Sequence, residues 1–354
     1  MKTTQRTFIV IIVLAIIGSV IFFASRQGSN TNTASDNPLL TVAISPYQDL
    51  AMLVNADAAG IAKKHNLRVK LITMAWEDIL PAVGSHGKTV DVGFGSFVEY
   101  LTKYSKLNEG ETDPILFIQP LYVYKGGGFI TMRDDVPIFS SEDLRSTEKL
   151  AALRNWRFGA QKESLYDMML YAVAARGGIL PSDLKVSDIP MNDGLLAVEA
   201  KSLDLSAAGL TQVTEVQKQG GRLAISMESA GFADITGFIC RKSVLDARRA
   251  DIENLIRVWF DCVDYVFTDM KANSANSLAY LKANAATQYN FDQYSSALSQ
   301  EYLPRSLEDL NTNILQPGSK FDMVRIGKEI NAYLVLRSIV KSPTLIPSPT
   351  LPEK

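Results

Sequence analysis

Three serines stand where strand-like segments give way to helix-like ones, and they are the residues best placed for ligand chemistry. A serine at a helix start accepts a hydrogen bond from a backbone N–H of the first turn, so each junction reads as a capping box. Helix amino ends also carry partial positive charge and unpaired N–H groups, so converging ends can hold a small anionic or polar group without an arginine. The pattern predicts either simple helix caps or the wall of a ligand cleft. The junctions are Ser45-Pro46-Tyr47-Gln48, Ser96-Phe97-Val98-Glu99 and Ser164-Leu165-Tyr166-Asp167.

Aromatic and charged residues accompany these serines. Aromatic side chains suit organic ligands because they stack and make cation–π contacts. Glu99 and Asp193 are candidates for binding an amine or for capping their own helices, and Arg133 and Lys162 are candidate partners for a sulfonate or carboxylate. The aromatic candidates, for the cleft or for the core, are Tyr47, Phe97, Tyr100, Tyr122, Tyr166, Trp76 and Phe238.

The supply of nucleophiles and bases disfavours catalysis. The sequence has no G-x-S-x-G segment and no phosphate-binding P-loop, and neither His65 nor His86 lies beside a cysteine. Two histidines and two cysteines cannot form a conventional zinc site without several carboxylates. Cys240 and Cys262 are either a disulfide in an oxidising compartment or two buried thiols. We therefore expect a protein that is not an enzyme, with no metal and no cofactor.

Composition and charge argue against nucleic acid as a partner. The chain of 354 residues is 47% hydrophobic and 21% charged, with a formal net charge of −2 and a pI near 5.9. Nucleic-acid binding needs a basic surface, and no lysine- and arginine-rich stripe interleaved with aromatics occurs here. The length suffices for two hydrophobic cores or one large one.

An uncharged apolar run near the amino end, residues 8–24, predicts a membrane-spanning helix. Such a helix would extend roughly 26 Å, close to the ~30 Å hydrocarbon core of a bilayer. Phe22 and Phe23 stand where signal peptidase needs small residues, which favours an uncleaved signal anchor over a cleaved secretory signal. Lys2 and Arg6, against Arg26 after the run, favour a cytoplasmic end at residues 1–7 and a body on the periplasmic (extracytoplasmic) face of the inner membrane. Residues 25–38 are polar and predict a flexible linker.

The rest of the chain alternates strand-like and helix-like segments, which predicts an α/β fold with parallel or mixed sheets covered by helices. Strand-like passages at residues 128–133 and 236–241 mark where one α/β unit is interrupted by another. We expect a first lobe from residues 39–128 and 236–341, its second part helical, with residues 129–235 inserted as a second lobe. Residues 342–354 predict a proline-rich extended tail. Two lobes joined by two crossovers can hinge, and a ligand would bind between them.

Several segments, taken in order, match a known pattern. They are LTVAISPYQDLAMLVNADAAGIAKKHNLRVKL, the Asp91-Val92-Gly93 strand, SSEDLRS, FGAQKESLYDMML and VEAKSLDLSAAG. In this order they resemble the strand, helix and "(A/V)D(V/I)G", "s.eDLkG" and "l.aG.vDa" elements of the nitrate/sulfonate/taurine-type solute-binding proteins of ABC importers, with Ser202 where glycine is usual. The similarity covers about residues 39–340.

The resemblance implies the two-lobed type II periplasmic-binding-protein fold, which closes on its ligand by hinge motion. No basic residue occupies a matched site position, so a simple inorganic anion is disfavoured. Glu99 and Tyr122, beside the serine junctions, complete the predicted site. The ligand contacts carried over by the resemblance are Tyr47, Gln48, Ser96, Phe97, Ser164, Tyr166, Asp193, Gly209 and Gly237.

These observations predict a membrane-tethered solute-binding protein that captures a small organic molecule and delivers it to an ABC permease. An anionic and a heteroaromatic ligand both remain open. One alternative is a ligand-sensing clamp that signals through a membrane partner, although residues 1–7 are too short for a signalling domain. A second is an enzyme on the same fold, which the absence of a nucleophile–base pair disfavours.

Overall fold

Two five-stranded sheets organise the residues that the structure, a computed structural model, describes: 39–85, 89–285 and 289–350. The predicted membrane span at residues 8–24, with its flanks 1–7 and 25–38, lies outside them. Within the described residues, no helix has the length and apolar character needed to cross a bilayer. The strands are β1 Leu40–Ile44, β2 Val69–Thr73, β3 Val92–Ser96, β4 Ile115–Tyr124, β5 Gly128–Thr131, β6 Arg157–Ala160, β7 Lys185–Asp188, β8 Leu205–Ala208, β9 Arg222–Ser226 and β10 Asp234–Arg241.

The two sheets have the same arrangement. The first has the order β2-β1-β3-β10-β4, with β1 parallel to β2 and β3 and with β10 antiparallel to β3 and β4. The second has the order β7-β6-β8-β5-β9, with β6 parallel to β7 and β8 and with β5 antiparallel to β8 and β9. In each sheet the inner antiparallel strand is the one that has just crossed from the other lobe. The predicted two-lobed α/β fold is therefore confirmed.

The chain crosses between lobes after β4 and again before β10. Gly127 and Gly128 form the first crossover, with backbone φ angles of +77° and +146°. Residues other than glycine rarely adopt such angles. A Cβ at Gly128 would collide with the backbone carbonyl of Ile225. The glycine triplet at residues 126–128 thus lets β4 of one sheet pass directly into β5 of the other. The predicted lobe boundaries, 128/129 and 235/236, fall a few residues after these crossovers.

Helices cover both sheets and make up most of the chain after β10. Shorter 3₁₀ or π turns lie at Leu50–Val54, Asp143–Arg145, Ala151–Asn155, Pro181–Asp183 and Asn311–Leu315. The helices are α1 Asn55–Ala58, α2 Ile61–Lys64, α3 Trp76–Gly84, α4 Phe97–Asn108, α5 Thr147–Leu150, α6 Leu165–Arg176, α7 Met191–Glu199, α8 Leu210–Lys218, α9 Met227–Ala230, α10 Lys242–Ala247, α11 Arg249–Thr268, α12 Met270–Asn273, α13 Ala275–Asn284, α14 Phe291–Ser299, α15 Leu307–Leu310 and α16 Met323–Leu336.

The core of the first lobe centres on Trp259 of α11, whose side chain is fully buried. Its ring lies edge-on to Phe94 at 5.3 Å between centroids and stacks on Tyr122 at 5.8 Å. The apolar stripe predicted for this helix is confirmed, since its members are all buried. They are Leu255, Val258, Trp259, Cys262 and Val266.

Cys240 of β10 and Cys262 of α11 are both free and buried, which decides between the two possibilities that the sequence left open. Burial raises the pKa of the Cys240 thiol to about 12, and it raises the pKa of the Cys262 thiol as well. Both therefore act as small apolar core residues rather than as reactive groups.

The helix predicted to start at Ser45 does not form as expected. The Ser45 hydroxyl donates to the Met74 carbonyl at 2.8 Å and caps nothing, while Asp49 caps a 3₁₀ turn that begins at Leu50. The predicted continuous helix is also interrupted, because Gly60 adopts φ +67° between α1 and α2. Residues 46–49 are therefore a loop, which leaves their side chains free to face a cavity.

Two further features complete the comparison with the sequence. The strand-like passage predicted at residues 236–241 lies within β10, which ends at Arg241, where α10 begins, whereas β9 was not predicted at all. The tail is extended through residue 350, but it packs against the first lobe. Thr344 is buried and hydrogen-bonds Asn331, and the Thr350 amide donates to the Ile118 carbonyl at 2.7 Å.

Candidate functional site

A cavity of about 120 Å³ lies between the two lobes, with walls from both. A space of this size holds several waters or one small organic molecule. The first lobe lines it with Tyr47, Gln48, Asp49, Trp76, Glu77, Ser96, Glu99, Lys103, Tyr122, Tyr124, Asp234 and Thr236. The second lobe lines it with Gln161, Ser164, Leu165, Tyr166, Met191, Gly209 and Leu210.

The α4 amino end is capped entirely by the protein's own side chains. The Ser96 hydroxyl accepts from the Glu99 amide at 3.1 Å, as predicted, and Asp234 accepts from the Val98 amide at 3.1 Å. The Ser96 hydroxyl in turn donates to Asp234. These carboxylate and hydroxyl oxygens occupy the amides of Val98 and Glu99, so those two N–H groups are not free to bind a ligand.

The second lobe contributes two helix starts. At α6, the Ser164 hydroxyl accepts from the Asp167 amide at 3.3 Å, which confirms the predicted cap. At α8, the Gly209 amide donates to the Gln212 side chain at 3.1 Å. The Asp167 and Gly209 amides are therefore satisfied within the chain.

Tyr166 joins the two lobes at the cavity. Its hydroxyl lies 3.0 Å from the Tyr124 hydroxyl at the end of β4, and it also approaches the Gly126 carbonyl at 3.4 Å. The ring comes from the first turn of α6 in the second lobe, whereas its partners lie at the first crossover. A side chain in this position can respond to any movement of one lobe relative to the other.

Asp49 of the cavity wall and Glu301, which is not among the lining residues, form a buried pair of carboxyl groups. Tyr122 donates to Asp49, and the Gln48 amide donates to Glu301 at 2.7 Å. Burial raises the pKa of both carboxyls, and their mutual hydrogen bond raises that of Glu301 further. Both carboxyls therefore favour the protonated form more than isolated carboxyls do, because ionising two adjacent buried groups is unfavourable.

Glu99 forms a third acidic position, next to aromatic rings. The Trp76 indole donates to its carboxylate at 3.3 Å, and the Tyr47 ring lies 6.4 Å from the Trp76 ring at a tilt of 54°. Burial raises the pKa of Glu99, while the nearby Lys103 charge and the Trp76 hydrogen bond lower it. Glu99 projects into the cavity because it lies on the same face of α4 as Ser96, three residues earlier.

Asp234 is the most strongly anchored of these acids. It accepts from the Ser96 hydroxyl and from the amides of Val98 and Ile235. Burial nevertheless raises its pKa to about 7, since desolvation outweighs the hydrogen bonds that lower it. The folded protein thus binds a proton that the unfolded chain, with an ordinary aspartate pKa near 3.8, has already released.

We expect Asp234→Asn to remove a pH dependence of stability. In the wild type, the free energy of unfolding falls as pH rises from about 4 to 7, by up to about 1.4 kcal/mol per pH unit, because the native state binds the extra proton. Asparagine keeps the shape and the bonds from both backbone amides but does not titrate. Urea unfolding at pH 5 and pH 8 measures this effect. The free energy of unfolding of the variant, relative to that of the wild type, should be higher at pH 8 than at pH 5. A constant difference at both pH values, like that expected of the exposed control Asp57→Asn, would contradict this account.

The structure brings most of the predicted ligand contacts to the cavity. It includes Tyr47, Gln48, Ser96, Glu99, Tyr122, Ser164, Tyr166 and Gly209 in the wall.

Three predicted contacts lie elsewhere, each for a local reason. Phe97 is fully buried against Phe117 at 5.2 Å between centroids, on the core side of α4. Asp193 is exposed on α7, two residues from Met191, which does line the cavity; residues two apart do not share a helix face. Gly237 pairs with Gly95 inside the first sheet.

Sequence reasoning missed several residues that define the site. Asp49 directly follows two predicted contacts and could have been found from its neighbours. Asp234 begins the strand that returns from the second lobe, and only the topology places it at α4. Glu301 is positioned by Tyr302, whose backbone pairs with Val123 of β4 at 2.9 and 3.0 Å. Arg133, once a candidate anion partner, instead pairs with Asp135 and Asp204.

The donor set offers no metal site. Within residues 39–85, 89–285 and 289–350, no group of three or more histidine, cysteine, aspartate or glutamate side chains is arranged to hold an ion. The described histidine, His65, contacts Asp261 at 2.8 Å away from the cavity.

Comparison with solved structures identifies the fold. The alkanesulfonate-binding protein SsuA from Xanthomonas axonopodis pv. citri, bound to MOPS, superimposes with a TM-score of 0.61 at 14% identity, covering 88% of this chain and 98% of that one. A Candida albicans protein described as having the generic periplasmic binding protein fold gives a TM-score of 0.61 at 14% identity, covering 86% and 91%. The two-lobed architecture is therefore that of the periplasmic binding proteins.

The same fold also carries an enzyme. The desulfurization enzyme DSZB matches with a TM-score of 0.54 at 14% identity, covering 87% of this chain and 94% of that one. No protein-family model matches the sequence, and no curated protein matches it. The similarity to solved structures thus establishes the architecture, and the function must be argued from the site.

Proposed function

We propose that this chain is an extracytoplasmic solute-binding protein that captures a small organic molecule between its two lobes and presents it to an ABC permease. The observation that carries the proposal is the cavity itself, whose wall combines residues of both lobes. A ligand that contacts both walls stabilises the closed arrangement over any open one, and this differential affinity is what drives hinge closure.

Similar structures support transport as the purpose of this capture. Two of them are described as parts of ABC transport systems, a sulfonate-binding protein from Methylobacillus flagellatus and a ligand-binding component from Staphylococcus aureus. The match to the Xanthomonas SsuA extends over 98% of that protein's length.

Membrane tethering is part of the proposal and rests on the sequence alone. Residues 8–24 are long enough and apolar enough for an anchor, and Lys2 and Arg6 favour a body outside the cytoplasm. Intact-mass measurement of the protein from membranes tests this directly. A mature chain that begins near residue 25 would replace the anchor with a cleaved signal.

The residues of the cavity wall favour ligand binding over catalysis. Its wall contains carboxyls, phenols, amides and one amine, but the two free cysteines lie buried elsewhere and His65 lies on the surface. The cavity hydroxyl that lies beside a carboxylate, that of Ser96 beside Asp234, is engaged in capping α4, where it accepts from the Glu99 amide.

Native mass spectrometry of the full-length protein, purified without denaturation, tests the proposed function. We expect one small molecule to be bound per folded protein chain, and we expect it to dissociate when the protein unfolds. A protein that shows no bound molecule, and no mass shift with extracts of small organic compounds, would contradict ligand capture.

A further inference from the structure

Acidic side chains outnumber basic ones in the cavity wall. Its basic member within the described residues is Lys103, close enough to Glu99 for its charge to lower the pKa of that carboxyl, and no arginine lines it. Such a wall offers a ligand more hydrogen-bond acceptors than cationic partners. The acidic members of the wall are Asp49, Glu77, Glu99 and Asp234.

These carboxyls differ in how far the protein already satisfies them. Asp234 accepts from Ser96 and from two backbone amides, and Asp49 accepts from Tyr122 and the Leu50 amide. Glu99 accepts only from the Trp76 indole, at 3.3 Å, among the bonds of the described residues. Glu77 is exposed to solvent. Since a carboxylate can accept about four hydrogen bonds, Glu99 has the most capacity left for a donor among the wall acids that are not exposed.

A second acceptor in the wall also lacks a donor. Gln48 is 2% exposed, and its Nε2 donates to Glu301, but its buried Oε1 has no hydrogen-bond partner among the described residues. A buried carbonyl oxygen without a partner costs free energy, and such atoms in native proteins usually have a ligand or water to satisfy them. The Gln48 Oε1 and the Glu99 carboxylate would therefore both be satisfied by a ligand that donates hydrogen bonds.

The remaining surface of the cavity is aromatic. Tyr47 and Trp76 form a corner beside Glu99, with their rings tilted by 54°. Aromatic faces attract organic cations through their quadrupole, and this attraction grows when the site excludes water. The other rings of the wall are Tyr122, Tyr124 and Tyr166.

We propose that the ligand is a small organic ammonium ion whose nitrogen lies between the Glu99 carboxylate and the Tyr47 and Trp76 rings, with its carbon chain directed toward Tyr166. This inference rests on the proposed function, and it names the ligand class of the same cavity. It separates this protein from the structurally similar SsuA, which is described as an alkanesulfonate-binding protein. Hydrogen-bond acceptors and aromatic rings predominate in this wall, and Lys103 is its basic residue among those described.

A series of probes that share one carbon chain tests the ligand class. Butylammonium, 1-butanol and 1-butanesulfonate are titrated into the full-length protein by isothermal calorimetry at millimolar concentrations. We expect butylammonium to bind at least tenfold more tightly than butanesulfonate. Glu99→Gln should weaken butylammonium at least tenfold and change 1-butanol by less than twofold. The control Asp193→Asn, which alters an exposed acid outside the cavity, should change neither affinity.

The outcomes separate this inference from the proposed function. Tighter binding of butanesulfonate, or equal butylammonium affinity in wild type and Glu99→Gln, overturns the ammonium assignment and leaves ligand capture standing. No binding by butylammonium also overturns it, whatever molecule co-purifies. If Glu99→Gln has a melting temperature close to that of the wild type, its loss of binding is not caused by unfolding. The proposed function is tested separately. The absence of a bound molecule in native mass spectrometry would contradict ligand capture itself.

Discussion

Tyr166→Ala should weaken binding of the molecule that co-purifies with the protein by more than tenfold, without unfolding it. The ring forms part of the second lobe's wall, and its hydroxyl meets Tyr124 of the first lobe at 3.0 Å. Truncation removes both the aromatic contact with the ligand and a link that favours the closed arrangement. Aromatic side chains in such central positions commonly account for more than 1 kcal/mol of binding free energy. Calorimetric titration of stripped and refilled protein measures the loss.

Two companion variants sharpen this test. Tyr166→Phe keeps the ring and removes only the hydroxyl, so its loss should be smaller. Tyr171→Ala removes a tyrosine from the same helix, where the ring contacts Arg337 at 3.6 Å rather than the cavity. It should leave affinity within about twofold, as expected of a substitution remote from the ligand. Equal losses for Tyr166→Ala and Tyr171→Ala would show that the effect is structural and that the cavity is misplaced.

Trp259→Ala should lower the free energy of unfolding by about 3–5 kcal/mol, the usual cost of emptying a buried aromatic site. The indole is fully buried among Phe94, Phe238 and Tyr122. Its loss leaves a cavity beneath the ring of Tyr122, whose hydroxyl donates to Asp49. We therefore expect ligand affinity to fall as well, by a smaller factor than in Tyr166→Ala. Urea denaturation at constant pH gives the first quantity and calorimetry the second.

Trp156→Ala is the matched control for this core substitution. Trp156 is only partly buried and makes an edge contact with Phe139 at 5.9 Å in the second lobe. Its replacement should cost clearly less stability and leave the ligand wall untouched. If both tryptophan variants lost the same stability, Trp259 would not be the centre of the first lobe's core.

Local patterns in the sequence were enough to predict the architecture. The Leu40–Ile44 and Val92–Ser96 strands are short apolar runs flanked by turns, and the stripe along Arg249–Thr268 follows the helical period. β9, at Arg222–Ser226, was missed because its neighbours on both sides read as helix and loop. The helix expected to start at Ser45 does not form there because the serine hydroxyl donates to the Met74 carbonyl, in another segment. No local sequence pattern indicates this contact.

The site was predictable in its location but not in its chemistry. Serine junctions and an inserted lobe point to the cavity edge, and Ser96, Glu99 and Tyr166 all lie there. The sequence suggested free helix amides, yet Asp234, 136 residues from Val98, accepts from the Val98 amide. Glu301, 253 residues from its partner Gln48, completes an acidic cluster that no local motif announces. Long-range contacts therefore decide which groups of the predicted cleft are left to meet a ligand.

The central claim is that one guest contacts both lobes in the cavity between them. The most direct test is a crystal structure of the protein purified under native conditions, with the molecule found by mass spectrometry retained. We predict electron density for that molecule in contact with Tyr47 and Glu99 on one side and with Tyr166 on the other. Density for the same molecule at a different surface, with this cavity holding only solvent, would contradict the account.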